Sequence, residues 1–536
     1  MASSRSLLPP ILGGATAPLA SAPVATGVSP VDAARFLAQA SFGPTRSDIA
    51  SVQRLGYAGW IQSQMQQKAT SHTARYALTS PLDTTQQGAR QEAWWWTAVN
   101  AADQLRQRVA FALSEIFVVS DLGGGLGGIA RGMTTYYDVL VDGAFGSFRS
   151  LLEQVTLHPV MGAWLSLTGS RRADAKTGTH PDENFAREVM QLFTVGTVLL
   201  NQDGTPLTRS GAPVAAYTQD QVQGVARALT GWIRNGTNPW TRPMVVDAAH
   251  HEAGAKRIIG GHVIPAGGSA QSDLAAVLDA LAGHPNTAPF ISKLLIQRLV
   301  TSNPTAGYVA RVSAVFANDG TGARGNLGAV VAAILLDDEA RNGPQALGPV
   351  FGRVREPLLR VSHLWRAFGG EGVGGRIDFP HPEVSLGQAA LRATSVFGFF
   401  SPMFAPASFA GRGMVAPELQ MADDASLPTV DDFMIRAINR TTVVPTMVTK
   451  VLGLAGGQSL STDGEHDVSI NLATDQAMAQ NVSSLVDDLD VLLMGGALDA
   501  GLRSGLVSYL ASVPVANRVT EAVTVLVTSP QYLVQR

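Results

Sequence analysis

Residues 87–119 read QGARQEAWWWTAVNAADQLRQRVAFALSEIFVV, and they indicate the fold class more clearly than any other segment. Apolar side chains recur in this segment at the three- and four-residue spacing of an α-helix, and they share one face: Trp95, Val99, Val109, Leu113, Ile116 and Phe117. Of the three rings in Trp94-Trp95-Trp96, we expect two to be buried in the core and one to be exposed. The segment therefore predicts the longest helix of a mainly α-helical protein.

Helical periodicity continues on both sides of this segment. One region departs from it, because residues 244–265 carry two β-rich runs around a Gly-containing turn. We therefore predict a mainly α fold, a large multi-helical single body with a small β hairpin or sheet insertion near 244–265. The other predicted helices cover residues 31–40, 45–56, 57–68, 133–143, 148–168, 183–196, 218–233, 272–283, 286–301, 305–317, 325–338, 355–369, 429–454, 474–495, 498–512 and 516–528.

Composition along the chain suggests where its parts begin and end. Residues 1–30 form an Ala/Pro-rich leader that we expect to be flexible. The main helical domain is predicted over 31–454, and it includes a Gly-, Pro- and Phe-rich stretch of loops and short helices at 370–428. A polar linker at 455–473 then leads to C-terminal helices at 474–536, which we expect to pack on the main body.

The charge balance and the missing cysteines narrow the class of protein. With 39 basic and 42 acidic residues the net charge is −3, so no broad basic surface is predicted and nucleic acid is not an expected partner. The absence of cysteine excludes disulfides and thiolate chemistry, and it leaves His, Asp and Glu as side chains for any metal. No apolar run approaches the ~18–20 residues that cross a bilayer, so no transmembrane segment is predicted.

Several segments together resemble a known family. They are AARFLAQASFGPT (33–45), HPDENFAREVMQLFTVG (180–196), YTQDQVQGVARALTGW (217–232), HHEAGAKRIIG (250–260) and GQAALRATSVFGFFSPMF (387–404). In this order they make the chain similar to the bacterial family called domain of unknown function 1800, and the resemblance covers nearly the whole chain.

The resemblance implies a large, mostly helical bacterial protein that is exported to the periplasm or the extracellular space. It also implies a possible partner, a sulfatase-like protein encoded nearby, but it brings no settled reaction. Many members carry a His-rich WHNHF-like stretch where this chain has FALSEIF (111–117). The histidines of any metal site built on that stretch are therefore missing from this chain.

The segment 180–196 is the strongest candidate for chemistry. Asp182 is placed to cap a helix. Asn184 and Glu188 lie on a polar stripe of this helix, beside its apolar face. Glu183 and Arg187 form a pair of opposite charge four residues apart. One interpretation is that Glu183 or Glu188 acts as a general base or a metal ligand. The alternative is an ordinary capped amphipathic helix whose polar groups hold its neighbours.

Histidines and a second group of carboxylates supply the remaining candidates. His158 precedes a proline at a helix boundary, where an imidazole often bonds the backbone. His251 lies beside His250, and it could bind a divalent metal together with Asp247 and Glu188, although the spacing matches no recognised metal motif.

Two further groups of charged residues allow more than one interpretation. Lys256 could hold an anion or pair with Glu252. Further along the chain, several charged residues predict an intramolecular ion-pair network, with an anion site as the alternative: Arg353, Arg355, Arg360 and Glu356.

Two functions remain open at this point. The first is a hydrolase of an envelope or extracellular polymer that uses carboxylate and histidine chemistry, with a divalent metal as a possible cofactor. Its site would gather His158, Glu183, Asn184, Arg187, Glu188 and His251. The second is a non-catalytic binding or assembly factor that works with the sulfatase-like partner, in which the same residues stabilise the core.

Overall fold

A computed structural model of the protein describes residues 27–80, 87–236, 238–422, 426–439 and 466–536. Helices dominate these residues, and the strands form two-stranded pairs, which confirms the mainly α fold class. Residues 1–26 of the predicted leader lie outside the described residues. So do residues 440–454 of the predicted helix 429–454 and residues 455–465 of the predicted linker. No helix in the described ranges has the length and apolar character needed to span a bilayer.

The helices are joined by connections of very different lengths, the longest of them between α10 and α11. In order they are α1 Pro30–Ala40, α2 Arg46–Met65, α3 His72–Thr79, α4 Gln87–Asn100, α5 Gln104–Ser114, α6 Ala130–Gly143, α7 Phe148–Leu157, α8 Pro159–Trp164, α9 Asn184–Gln191, α10 Gln219–Ala228, α11 Ala270–Gly283, α12 Thr287–Leu299, α13 Ala306–Ala317, α14 Leu327–Leu336, α15 Asp338–Leu347, α16 Pro357–Ala367, α17 Pro382–Leu386, α18 Ala407–Ala410, α19 Ser426–Asn439, α20 Ala473–Gln476, α21 Val482–Leu489, α22 Ala500–Ser512 and α23 Arg518–Val527. A π-helical turn, Asp490–Met494, extends α21.

The stretch 87–119 forms two helices, so the prediction of one long helix was wrong. The break lies between Asn100 and Gln104. Asp103 in the break accepts hydrogen bonds from the backbone N–H and the hydroxyl of Thr70, at 2.9 and 2.7 Å. The amide of Gln104 donates to the carbonyl oxygens of Ala98 and Ala101 at 3.1 and 2.9 Å. Side chains therefore bind the backbone groups that a continuous helix would have paired.

Short antiparallel strand pairs connect the helices. The pairs are β1 Thr208–Arg209 with β2 Ala212–Pro213, β3 Trp232–Ile233 with β4 Val245–Val246, β5 Lys256–Arg257 with β6 Val263–Ile264, and β7 Arg353–Val354 with β8 Val534–Gln535. The predicted β insertion thus contains the β5–β6 hairpin, while β4 pairs with a strand that precedes the insertion. β7 and β8 bring the C-terminus next to the middle of the chain.

One continuous apolar core extends from α1 to Tyr532 near the C-terminus. At its centre the Trp95 ring of α4 packs against Trp365 of α16 and Phe379, with ring centroids 4.9 and 5.4 Å apart. Trp94 and Trp95 are buried, whereas Trp96 is partly exposed and donates from Nε1 to the Gly375 carbonyl at 3.1 Å. This distribution confirms the prediction for the three tryptophans.

The C-terminal strand β8 holds β7 in place. Besides the strand pairing, the Arg355 backbone N–H donates to the Leu533 carbonyl at 2.6 Å, and the Gln535 amide donates to the Leu299 carbonyl at 2.7 Å. Gly352 lies so close that a Cβ atom there would come within 2.3 Å of the Gln535 carbonyl oxygen. These contacts position Arg353, whose side chain enters the candidate site described below.

Candidate functional site

Helix α9 presents the predicted pair Glu183–Arg187 at the protein surface. The Asp182 carboxylate accepts a hydrogen bond from the backbone N–H of Asn184 at 2.8 Å, as a capping residue should. Glu183 and Arg187 lie 3.1 Å apart, and the Gln219 amide donates to Glu183 at 2.7 Å. Because both charged side chains are about a third or more exposed, such a pair stabilises the fold by less than about 1 kcal/mol.

Glu188 is the predicted residue with the least satisfied side chain. It is buried, and its Oε2 atom has no hydrogen-bond partner in the described part of the chain. Burial raises the pKa of the Glu188 carboxyl, although the charge of Arg187 opposes the shift. Burial likewise raises the pKa of the neighbouring Tyr217, with the Glu188 charge adding to the effect. Glu188 is therefore easier to protonate than an ordinary glutamate.

His158 lies at the junction of α7 and α8. Its Nδ1 accepts the backbone N–H of Val160 at 3.3 Å, and its Nε2 lies 3.3 Å from the Thr135 hydroxyl. The imidazole packs edge-on against Tyr136, with ring centroids 5.2 Å apart. Burial lowers the pKa of His158 to about 3, so the ring is neutral at physiological pH.

His251 belongs to a buried polar group between α10 and α11. Its Nδ1 donates to the Thr230 carbonyl at 2.9 Å, and its Nε2 lies 3.2 Å from Asp273. The same Asp273 carboxylate pairs with the buried Lys256 ammonium at 2.6 Å. Lys256 thus pairs with Asp273, whereas Glu252 lies 3.5 Å from Arg227. The pairing of Lys256 with Glu252 was therefore wrong.

The predicted metal ligands are not brought together. Asp247 binds Nδ1 of His250 at 2.6 Å, while His251 and Glu188 have the separate surroundings given above. Among the described residues, no three His, Asp or Glu side chains form a group that could hold a metal ion.

The predicted catalytic residues likewise divide into separate sites. Glu183, Asn184, Arg187 and Glu188 share one short helix. Within the described ranges, no hydrogen bond or ion pair joins His158 or His251 to them.

A pocket opens elsewhere, between the end of α5, helix α12 and the segment 388–400. The cavity itself is small, about 20 Å³, and it opens to solvent. Its polar lining comes from Ser114, Glu115, Arg298 and Gln388. The remaining wall is apolar and largely aromatic, and it includes Phe111, Val118, Phe397, Phe399 and Phe400. Its lining is of the kind seen in small-molecule sites, but its volume is far below the ~300–1,000 Å³ of such sites.

Glu115 and Glu356 form a buried carboxyl pair at this pocket. No N–H or O–H donor of the described residues binds either Glu115 oxygen, and the nearest cation, Nε of Arg298, lies 3.7 Å from Oε2. Burial, followed by the charge of the nearby Glu356 carboxylate, raises the pKa of Glu115 well above its usual range.

The pKa of Glu356 shifts in the opposite direction. Burial opposes its ionisation, yet the charge of Arg353 and the hydrogen bond from Gln388 lower the pKa of Glu356. Arg353 lies 2.5 Å from Glu356 and 2.8 Å from Glu418, and the Gln388 amide donates to Glu356 at 2.6 Å. Paired groups whose environments move their pKa values apart are typical of acid–base sites.

Two further arginines complete the group, which we call the carboxyl–arginine centre: Arg108, Glu115, Arg298, Arg353, Glu356 and Glu418. Arg108 donates to the Arg298 carbonyl at 2.5 Å, and its Nε and Nη1 atoms have no hydrogen-bond partner among the described residues. Burial lowers the pKa of both Arg108, to about 10, and Arg298.

The carboxyl–arginine centre was only partly visible in the sequence. The Arg353–Glu356 ion pair belongs to the network predicted there, whereas Arg360 pairs with Asp431 and Arg355 donates to the Leu493 and Tyr532 carbonyls. Glu115 was not singled out, although it lies in FALSEIF, the segment where the relatives' histidines are missing. A signal was present, since Arg108 and Glu115 are the charged residues of the otherwise apolar run from 108 to 119.

Comparison with known proteins identifies the family. A search of curated proteins finds no significant match, and a search of solved structures finds none either. The family described as "Protein of unknown function (DUF1800)" matches residues 35–534. The match takes in both α9 and the carboxyl–arginine centre. Because it covers nearly the whole length, the chain belongs to the DUF1800 family.

Proposed function

We propose that the protein is a hydrolase of an envelope or extracellular polymer, and that it works by general acid–base catalysis in the Glu115 pocket. The observation that carries the proposal is the buried Glu115 carboxyl at the wall of an apolar pocket, which has a raised pKa and no hydrogen-bond partner for either oxygen among the described residues. In this proposal Glu115 donates a proton to the leaving group while water attacks the scissile bond.

Each neighbour of the pair has a physical role in this proposal. Arg353 stabilises the Glu356 carboxylate, and the Gln388 amide fixes its second oxygen. The phenylalanines around the pocket keep the local dielectric low, which favours the protonated form of Glu115. Glu115 acts as an acid only while it is protonated, so the rate should fall as the pH rises through its raised pKa.

The test compares Glu115→Gln with the wild type on polysaccharide, peptidoglycan and protein polymers, following new reducing ends and free amines. We expect cleavage of one polymer class and a loss of about 10²-fold or more in Glu115→Gln, because a general acid contributes about that much. Glu153→Gln, at an exposed carboxylate on α7, is the matched control and should keep the full rate. If cleavage persists in Glu115→Gln, the reaction does not take place in this pocket.

The residues of α9 form the second candidate site for the same reaction. Its support is Glu188, a buried carboxyl with one unpaired oxygen and a raised pKa. Loss of cleavage in Glu188→Gln, with Glu115→Gln unaffected, would favour α9. Catalytic roles remain proposals of the same kind for His158, Glu183, Asn184, Arg187 and His251. A divalent metal cofactor is also a proposal, and metal analysis of the purified protein tests it.

The second candidate function is a non-catalytic binding or assembly factor that works with a sulfatase-like partner. In its favour, His158 and His251 are buried and held by neighbouring groups, as expected of residues that stabilise a core. Absence of cleavage of every polymer class, together with a stable complex between the two purified proteins, would favour this function. Export to the periplasm or beyond is part of both proposals, is supported by the lack of cysteine, and is tested by cell fractionation.

A further inference from the structure

Exposed apolar side chains concentrate around one part of the protein surface. Among the described residues, six large apolar side chains are more than half exposed, and four of them belong to what we call the apolar surface: Leu122, Val384, Phe397 and Met403. Leu122 and Val384 directly follow Asp121 and Glu383, which both pair with Arg392, at 2.7 and 3.2 Å. Single exposed apolar residues are normal, whereas a group of them marks an interaction site.

The segment 393–417, which carries Phe397 and Met403, has almost no charge. It contains five of the nineteen phenylalanines of the chain and one charged residue, Arg412. Arg412 is exposed, and its guanidinium has no ion pair within the described ranges. The two acids beside the segment, Asp121 and Glu383, are already paired with Arg392. The free charge of this segment is therefore positive, and it complements a partner that is negatively charged and otherwise apolar.

The backbone of the same segment is bonded within the protein. The Phe404 N–H donates to the Ser401 carbonyl at 3.0 Å, and the Ala416 N–H donates to the Phe404 carbonyl at 2.9 Å. The side chain of Asn303 bonds both the N–H and the carbonyl of Val415, each at 2.8 Å. Backbone groups that are paired in this way can enter a lipid interface without losing their hydrogen bonds to water.

We propose that the apolar surface binds the interface of an anionic lipid membrane, with Phe397 and Met403 among the headgroups and Arg412 against a lipid phosphate. Such binding grows with the apolar area that is buried and with the attraction to anionic lipid. A protein partner is less well matched, because protein interfaces carry about one hydrogen bond per 100–200 Å² and this segment offers mainly apolar side chains. Since Phe397 also lines the Glu115 pocket, membrane binding holds that pocket at the lipid surface.

Sedimentation of the full chain with lipid vesicles tests the apolar contribution. The vesicles are phosphatidylcholine alone and an equal mixture of phosphatidylcholine and phosphatidylglycerol. The double variant Phe397→Ser with Met403→Ser should bind both kinds of vesicle about tenfold or more weakly than the wild type, because two apolar side chains no longer leave water. Val263→Ser on β6 is the matched control, since Val263 is 64% exposed and Met403 is 63% exposed, and it should bind like the wild type.

The same vesicles test the charge. The wild type should bind the anionic vesicles about fivefold more tightly than the neutral ones, the usual effect of one arginine near such a surface. Arg412→Gln should remove this preference and leave binding to the neutral vesicles unchanged. Arg54→Gln is the control, because Arg54 is an exposed arginine on α2 whose side chain donates to a serine hydroxyl, and it should keep the preference.

Three results would overturn the membrane site. They are the absence of binding to either kind of vesicle, binding that the double variant leaves unchanged, and a dimer in light scattering that the double variant dissociates while the wild type ignores vesicles. The last result would assign the apolar surface to a second copy of this chain. Membrane binding does not require the proposed hydrolysis, so vesicle binding without cleavage of any polymer would count against the hydrolase alone. Cleavage by a protein that ignores vesicles would count against the membrane site alone.

Discussion

His158 is enclosed by α6, α7 and α8 with both ring nitrogens next to polar groups, and this enclosure decides its protonation. The folded protein holds the imidazole neutral, with a pKa of about 3. The unfolded chain takes up a proton near pH 6.5. The contribution of His158 to stability is therefore complete above the unfolded pKa, and it is lost as the pH falls from there towards the folded pKa.

We predict that His158→Asn makes the free energy of unfolding depend less on pH on the acid side. Asparagine keeps a side chain that can cap the N-terminus of α8. Between pH 6.5 and 5 the wild type should lose about 2 kcal/mol more than the variant, at about 1.4 kcal/mol per pH unit. Urea unfolding at several pH values measures the difference. Parallel profiles for the two proteins would show that His158 can be protonated in the folded state.

For the α9 candidates, the sequence shows the residue types and their spacing. It does not show which residues surround them in the fold. The spacing of Glu183 and Arg187 predicted their ion pair, since both lie on one short helix. Lys256 and Asp273 could not be paired in this way, because their contact depends on how α11 packs against the β5 strand.

At the scale of elements, close packing limits which side chains a helix can carry. Gly224 in α10 faces β5 so closely that an added Cβ atom would lie 1.7 Å from the Arg257 carbonyl oxygen. Gly505 in α22 has no such neighbour, since nothing lies within 4 Å of its Cβ position. Helix periodicity in the sequence does not distinguish these two glycines.

The same substitution should have opposite effects at the two positions. Gly505→Ala should raise the free energy of unfolding by about 0.5–1 kcal/mol, because alanine is the better helix former. Gly224→Ala should lower it by about 1–3 kcal/mol, because α10 must move away from β5. Urea unfolding of both variants measures this. A stabilising effect at Gly224 would contradict the packing of α10 on β5.

Boundaries of elements show the same dependence on neighbours. The Thr218–Gln221 capping box that begins α10 is local, and the structure contains it. The break between α4 and α5 is not local, because Asp103 is held by Thr70 from a distant part of the chain. Periodicity alone therefore merged the two helices.

At the scale of the whole molecule, the carboxyl–arginine centre joins four distant parts of the chain. Arg108 and Glu115 come from α5 and its end, Arg298 from α12, and Glu418 from a short turn after α18. Arg353 sits on β7, which is held by the C-terminal strand β8. The C-terminal residues thus complete the surroundings of the candidate site.

Deletion of residues 533–536 should therefore lower the free energy of unfolding of the whole helical body. We expect a loss of about 2–4 kcal/mol, from several backbone hydrogen bonds and the packing of β8. Tryptophan fluorescence during urea unfolding measures the loss outside the deleted segment, because the last of the eight tryptophans is Trp365. Removal of the exposed Arg536 alone is the control.

This deletion also tests the predicted organisation, in which the C-terminal helices at 474–536 pack on the main domain at 31–454. A lowered midpoint in a single transition would support one body. An unchanged tryptophan transition, or a separate second one, would indicate independent units.

The sequence by itself determined the mainly α fold class, the positions of most helices, the local caps and the family, because these depend on residues that are close together along the chain. The tertiary structure alone decided which charged groups of distant segments meet. The Arg298–Glu115 ion pair and the Lys256–Asp273 contact both join such segments. The raised pKa of Glu115 follows from burial and from the nearby Glu356 charge, and neither can be calculated from local spacing.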